Sequence, residues 1–337
     1  MLRLLLFAAV LLCACSQQPE TVQLHGATMG TTWSVSLHSL PDGIKFAELK
    51  QQVQQRLDRV NELMSTYDPA SEISRFNRST SLDWFPLSTE TAEVIALSLE
   101  ISALTDGAFD ISVGPLVELW GFGASERDKQ LPTDEQVLKV LDGVGYRKLE
   151  LRRQPAAIRK KHPQVQLDLS AVAKGFAVDL LAELLKQRGV KNFLVEVGGE
   201  LQVAGRRYDG TPWRIAIEKP REGVREVEQV FPLTNTALAT SGNYRNFYVE
   251  DGQRYVHTID PISGKPIRHK LASATVLDPH CARADALATA MMVLGEERAR
   301  RLVEQEGIAA YFLIHEQNTL QEYRSQALNA FLAKERP

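Results

Sequence analysis

The sequence predicts an α+β fold with mixed or antiparallel sheets and packed helices, and three observations carry that expectation. Phe46, Leu49, Val53, Leu57, Val60 and Met64 recur at steps of three and four, the spacing of an amphipathic helix. From Phe193 onward, short apolar or alternating segments follow one another, with helical patterns set among them. The polar loops are rich in Gly, Ser, Thr and Asp, the residues that tight turns use.

Residues 17–23 are polar and read as a tether, so the folded body is placed at 24–337. Residues 32–37 alternate like a half-buried strand, and the helix over 46–64 follows. A second helix is expected over 89–104. Gly and Pro punctuate 107–123, a loop-rich stretch that carries Trp120 and Phe122. Residues 165–169 read as a buried strand running into a helix over 172–188, which Gly189 closes as a left-handed residue. Strands are then expected at 193–197, 201–204, 213–218, 247–249, 255–259 and 272–277. Helices at 284–294 and 297–306 and a last strand at 309–315 complete the pattern.

The chain has 337 residues, enough for one large domain, with 44% hydrophobic residues. Its 39 basic and 42 acidic residues give no footprint of nucleic acid or of a strongly charged partner. The N-terminus is more telling. Arg3, the apolar run 4–12 and Leu12-Cys13-Ala14-Cys15 read as a signal peptide over 1–14, cut before a cysteine to be lipidated. Acyl chains on Cys15 would anchor the protein stably, since each buried methylene adds about 0.8 kcal/mol. Ser16 favours the outer over the inner bacterial membrane, so a periplasm-facing, lipid-anchored protein is expected. Only Cys15 and Cys281 would remain after the cut, so no internal disulfide is expected.

Three constellations can carry chemistry. Asp285 and Thr289, four apart among Ala282, Ala284, Ala286, Ala288 and Ala290, share one helix face. A carboxylate and a hydroxyl in an apolar helix suit a hard cation such as Mg²⁺; they also suit a helix-end charge and a threonine bonded to its own backbone. Asp168-Leu169-Ser170-Ala171-Val172-Ala173-Lys174-Gly175 sits at a junction into a helix, where free N–H groups attract anions. There Ser170 also reads as a helix cap and Lys174 as a solvated side chain. His257, in a strand ending at a turn, is placed to act as a base or to be structural. Val197-Gly198-Gly199-Glu200 and Ser241-Gly242-Asn243-Tyr244-Arg245 are glycine turns that bring backbone close to a ligand or to another strand.

Together, the order and wording of these segments resemble the ApbE family of FAD:protein FMN transferases. Further matching segments are Gly26-Ala27-Thr28-Met29-Gly30-Thr31-Thr32-Trp33, Met64-Ser65-Thr66-Tyr67 and Ser74-Arg75-Phe76-Asn77. Thr105-Asp106-Gly107-Ala108-Phe109-Asp110 and Trp120-Gly121-Phe122-Gly123 also belong to the set, and the likeness runs over about residues 24–330.

The resemblance implies a single T-fold-like domain that binds FAD and Mg²⁺. It implies cleavage of FAD at its pyrophosphate and transfer of FMN to a Thr or Ser hydroxyl of an acceptor flavoprotein, with release of AMP. Redox-pump subunits are among the clients such enzymes serve. By position, Asp285, Thr289 and the Ala171 carbonyl match metal ligands. Met29, Tyr67, Ala108, Phe109, Asp110, Asp168, Lys174 and Ile259 match flavin-nucleotide contacts, and His257 matches the suspected catalytic histidine. Some relatives carry a carboxylate where this chain has Ala288, which implies a metal site of lower negative charge here. The position of Lys174 is acidic in some relatives. Two other readings stand beside it: Mg²⁺-dependent hydrolysis of FAD to FMN and AMP, which uses the same residues, and non-enzymatic flavin binding by a lipoprotein, which would not need Asp285 or the metal. The chain lacks the acceptor pattern Asp-x-Ser/Thr-Gly-Ala-Ser/Thr, which favours a donor enzyme over an acceptor.

Overall fold

The computed structural model describes residues 21–125, 130–220, 226–244, 246–317 and 319–335. The lipidation motif at Cys15 and residue Arg245 lie outside the described residues.

The chain opens with β1 (Val22–Thr28), β2 (Thr31–Leu37), α1 (Phe46–Met64), α2 (Glu72–Arg78), β3 (Phe85–Pro86) and α3 (Thr89–Leu104). It continues through α4 (Gly114–Leu119), α5 (Asp134–Leu141), β4 (Leu149–Arg153), β5 (Ala156–Lys160) and α6 (Ser170–Gln187). Strands β6 (Phe193–Val197), β7 (Glu200–Ala204), β8 (Trp213–Glu218), β9 (Val227–Leu233) and β10 (Thr236–Gly242) follow. Then come β11 (Phe247–Glu250), β12 (Gln253–Val256), β13 (Ile259–Asp260), β14 (Lys265–Pro266) and β15 (Leu271–Asp278). The chain closes with α7 (Cys281–Gln305), β16 (Ala309–Glu316), β17 (Thr319–Arg324) and α8 (Gln326–Lys334).

Eight strands form one sheet in the order β1-β2-β6-β7-β10-β15-β16-β17, with every described pair antiparallel. The α+β expectation holds. One face of the sheet packs on α1, α6 and α7 in the main core, which includes Trp33, Val35, Val195, Ala237, Val276, Leu287 and Met291. The other face joins the β8–β9 hairpin and α8 through Leu201, Ile215, Phe231, Leu238 and Tyr311. A third apolar cluster, with Leu116, Trp120, Tyr255 and Ile259, lies beneath the loops after α4 and β12. No helix among the described residues is long and apolar enough to cross a membrane.

Three sequence expectations change. β1 begins at Val22, inside the stretch read as a tether, because Val22 pairs with Leu37. Val165, Leu167 and Leu169 are buried, but residues 165–169 join no strand ladder. Instead, the Asn77 side chain takes the place of a neighbouring strand for Leu167: its amide donates to the Leu167 carbonyl at 2.8 Å and its oxygen accepts the Leu167 N–H at 2.7 Å. The strand expected over 255–259 breaks at His257 and Thr258, between β12 and β13. The two helices expected at 284–294 and 297–306 are borne out: Gly295, at φ 72° and ψ 172°, is non-helical and divides α7 into two helical segments.

Candidate active site

Helix α6 starts at Ser170 because Asp168 prepares its first turn: Oδ1 of Asp168 accepts the Ser170 N–H at 2.8 Å. Ser170 is therefore not the cap; Leu169 holds that position and has no side-chain cap bond. Five residues after Ser170, Gly175 is in contact with the start of α7. A Cβ there would lie 2.4 Å from the Cys281 carbonyl oxygen and 2.7 Å from the Ala282 Cα, so only glycine permits the approach. Two reciprocal bonds fix it. The Gly175 N–H donates to Asp285 Oδ2 at 3.0 Å, and Asp179, one turn along α6, accepts the N–H groups of Cys281 and Ala282 at 2.7 and 2.9 Å. Each helix thus holds the other's backbone with a carboxylate, and Asp285 is set at the floor of a cleft.

That cleft has a volume of about 1030 Å³ and is bordered by Ala171, Lys174, Asp285 and Thr289 from the two helices. Asp285 is 2% exposed, and burial raises its carboxyl pKa against the opposing pull of Lys174 and the Gly175 N–H. It is no surface charge at a helix end. Thr289 does not spend its hydroxyl on its own backbone either: the Oγ1 lies 3.0 Å from Ser241 Oγ on β10. Ala288 is fully buried and does not line the cleft, so that position faces the core.

Lys174 is only partly exposed, and its ammonium is paired rather than free. Its Nζ lies 2.6 Å from Glu200 Oε1, at the start of β7. Burial disfavours the ammonium, yet the Asp285 and Glu200 carboxylates outweigh burial and hold its pKa above the ordinary lysine value. Glu200 is 3% exposed; burial raises its pKa, Lys174 opposes the rise, and Oε2 is buried without a hydrogen-bond partner. Sequence reasoning saw a glycine turn here and missed the carboxylate, because nothing local marks Glu200 as buried.

His257 lines the cleft too; its Nδ1 lies 3.1 Å from the Asn246 carbonyl, which also accepts the His257 N–H at 3.2 Å. A carbonyl only accepts, so Nδ1 carries the proton and Nε2 keeps its lone pair. Burial lowers the imidazole pKa, and the Lys174 charge lowers it further despite the Asn246 bond. The Phe122 ring stands edge-on at 6.4 Å and is itself stacked on Tyr248.

The remaining predicted positions divide. Tyr67, Ala108, Phe109, Asp168 and Ile259 all border the cleft, Tyr67 with 70% of its surface exposed. Asp110 borders it too, but its carboxylate is committed elsewhere: Oδ1 accepts from the Ser112 N–H and hydroxyl, and Oδ2 from the Tyr146 N–H. Met29, at φ 49° in the β1–β2 turn, packs against the main core and is not among the residues lining the cleft.

The arrangement places a buried carboxylate, a hydroxyl, an ammonium and a neutral imidazole around one cavity. Among the described residues no group of three His, Cys, Asp or Glu side chains stands ready to hold a metal. One carboxylate, one hydroxyl and a main-chain oxygen fit a hard cation whose shell is completed by phosphate oxygens and water.

Comparison with known proteins agrees with this geometry. The chain is 40% identical over 331 residues to the FAD:protein FMN transferase of Vibrio cholerae serotype O1, covering 98% of both chains. It is 42% identical over 317 residues to that of Haemophilus influenzae, covering 92% of this chain and 91% of the relative. Among solved structures, the flavin transferase ApbE from Vibrio cholerae superposes with a TM-score of 0.86 at 41% identity, covering 93% of this chain and 99% of that one. The apo form of Pseudomonas stutzeri flavinyl transferase ApbE gives 0.85 at 38% identity, covering 93% and 97%. The family model for ApbE matches residues 29–312, and the chain belongs to the ApbE family.

Proposed function

We propose that this chain transfers FMN from FAD to a Ser or Thr hydroxyl of an acceptor flavoprotein. The observation that carries the reading is the meeting of Asp285, Thr289, Lys174 and His257 in one cleft. The acceptor oxygen attacks the FMN phosphorus, the bridging P–O bond to AMP breaks, and the hydroxyl proton passes to His257 Nε2. AMP leaves with the negative charge that the broken bond places on its phosphate.

Asp285, Thr289 and the Ala171 carbonyl are the groups that would hold Mg²⁺. When bound, the ion supplies charge neutralisation at the pyrophosphate. Lys174 adds a fixed positive charge, which Glu200 positions. His257 stays neutral at pH 7 because of its burial, so it can accept a proton. Phe109, Ile259 and Tyr67 offer apolar and aromatic surface to the flavin or adenine ring. The start of α6, with Ser170, Ala171 and Lys174, borders the same cleft, and a helix N-terminus favours anions.

The same reading takes Cys15 as a lipid attachment site and places the protein on the periplasmic face of a bacterial membrane. Its acceptors would then be flavoproteins exposed to that compartment, redox-pump subunits among them.

The test uses the full chain in detergent with FAD, Mg²⁺ and a carrier domain bearing an Asp-x-Thr-Gly-Ala-Thr segment. The expected outcome is a gain of one FMN mass on the carrier, abolished by EDTA and by Asp285→Asn. Release of FMN and AMP with an unlabelled carrier would replace transfer by hydrolysis. Bound, intact FAD under all conditions would leave a flavin carrier.

A further inference from the structure

We propose that the outer edge of β8 is the acceptor-binding site and that the acceptor segment adds to it as an extended strand. The inference rests on the transferase reading above.

Ile215, Ala216 and Ile217 are consecutive in β8, and all three border the cleft. Side chains along a strand point alternately to opposite faces. Three successive residues can border one cavity only if the strand turns its edge toward it. That edge carries the backbone N–H and C=O groups. Among the described strands β8 pairs with β9 alone, through Ile215↔Phe231, Ala216↔Val230 and Ile217↔Gln229. Its other edge therefore faces the cleft without a ladder partner. Unpaired edges of this kind recruit extended segments.

The rest of the cleft is accounted for differently. Tyr67, Ala108, Phe109, Asp110, Asp168, Lys174 and Ile259, the cleft-lining positions matched to flavin-nucleotide contact, all lie outside β8. The β8 edge is also within reach of the chemistry. Leu238 on β10 belongs to the same apolar cluster as Ile215, and three residues along β10 Ser241 bonds Thr289. Leu238 and Ser241 point to opposite sides of β10, but both line the cleft together with Ile215 and Thr289, so a segment held in that cleft meets the β8 edge and the metal-side hydroxyls alike. Ile215 and Ile217 are buried, whereas Ala216 is small and exposed. Apolar or small residues flanking the acceptor hydroxyl would fit that wall, and main-chain bonds would read little else of the sequence.

The experiment uses the full chain in detergent and a fluorescein-labelled peptide carrying Asp-Ile-Thr-Gly-Ala-Thr. It measures peptide binding by anisotropy, FAD binding by flavin fluorescence, and FMN transfer by mass. In Ala216→Arg, peptide affinity is expected to fall about tenfold or more while FAD affinity is retained. Ala216→Ser, which keeps the edge open, is expected to bind like the native chain. Peptides N-methylated at successive amides are expected to lose binding at alternate positions only, because alternate N–H groups of an added strand point at its neighbour.

Unchanged peptide binding by Ala216→Arg, or equal loss at every methylated position, overturns the proposal. Loss of FAD affinity in Ala216→Arg also overturns it, since the wall would then belong to the donor site. Native chain that binds the peptide in the alternating pattern but transfers no FMN would sink the transferase reading and leave the docking edge standing. Native chain that does not bind the peptide removes the edge.

Discussion

At His257 the ring Nδ1 and the main-chain N–H share one acceptor, the Asn246 carbonyl, and this fixes which nitrogen is basic. Burial, chiefly, then holds the imidazole below its ordinary value of 6.5. The sign follows directly. The basic form is the active one and protonation removes it, so kcat/KM for transfer falls as pH drops through a value under 6.5 and is flat above it on this limb. His257→Ala is expected to lower the single-turnover rate roughly 10²- to 10⁴-fold with FAD affinity kept, and to erase the acidic limb. A near-native rate in that variant would take the proton-accepting role away from His257. The carboxylates around it differ in task. Asp110 is tied to Ser112 and Tyr146 and serves the loop, whereas Asp285 is tied by one backbone N–H and faces the cavity.

Helices α6 and α7 act as a pair, because two side chains and one missing side chain set their spacing. Gly175→Ala would put a methyl against the backbone of Cys281 and Ala282, which cannot yield as a flexible side chain does. Overpacking of this kind costs about 1–3 kcal/mol. It would also lengthen the Gly175 to Asp285 bond that orients the carboxylate. A fall in Tm together with weaker Mn²⁺ binding, read by electron paramagnetic resonance, is expected. A fall in Tm with unchanged Mn²⁺ affinity would show that the close approach serves only packing. Asp179 contributes from the opposite direction, since it satisfies two N–H groups at the head of α7. The bend at Gly295 ends the first helical segment of α7 six residues beyond Thr289, and the second segment packs separately with Ala299 and Val303.

Over the whole molecule, the cleft draws its walls from residues between Thr31 and Val293 and from all three apolar clusters. A ligand there ties together parts of the fold that are otherwise joined by loops. FAD at one hundred times its Kd, with Mg²⁺, is expected to raise stability by about 2.7 kcal/mol in denaturant unfolding. Hydrogen exchange should slow together around 108–114, 168–175 and 257–261. Protection confined to one of these segments would mean that FAD does not bridge the cleft.

Local periodicity made several elements legible. The three-and-four spacing marks α1 over the residues it occupies, and alternation does the same for β6 and β8. β10 was invisible for a physical reason. Its Thr-Ala-Leu-Ala-Thr-Ser-Gly sequence has no alternation because it lies between β7 and β15, its first residues buried on both faces, where small side chains fit. β17 and α8 were also missed; β17 is a mostly exposed edge strand with little apolar pattern. For the site, the sequence by itself determined the residue types, their order and the family wording that links Asp168, Lys174, His257 and Asp285. Only the tertiary structure decided that Lys174 meets Glu200, that Thr289 meets Ser241, that Met29 packs on the core, and that Asp285 meets a backbone N–H 110 residues away. Helix and strand periods are properties of neighbours along the chain. Desolvation and Coulomb interaction depend on distance in space, and the fold alone sets that distance.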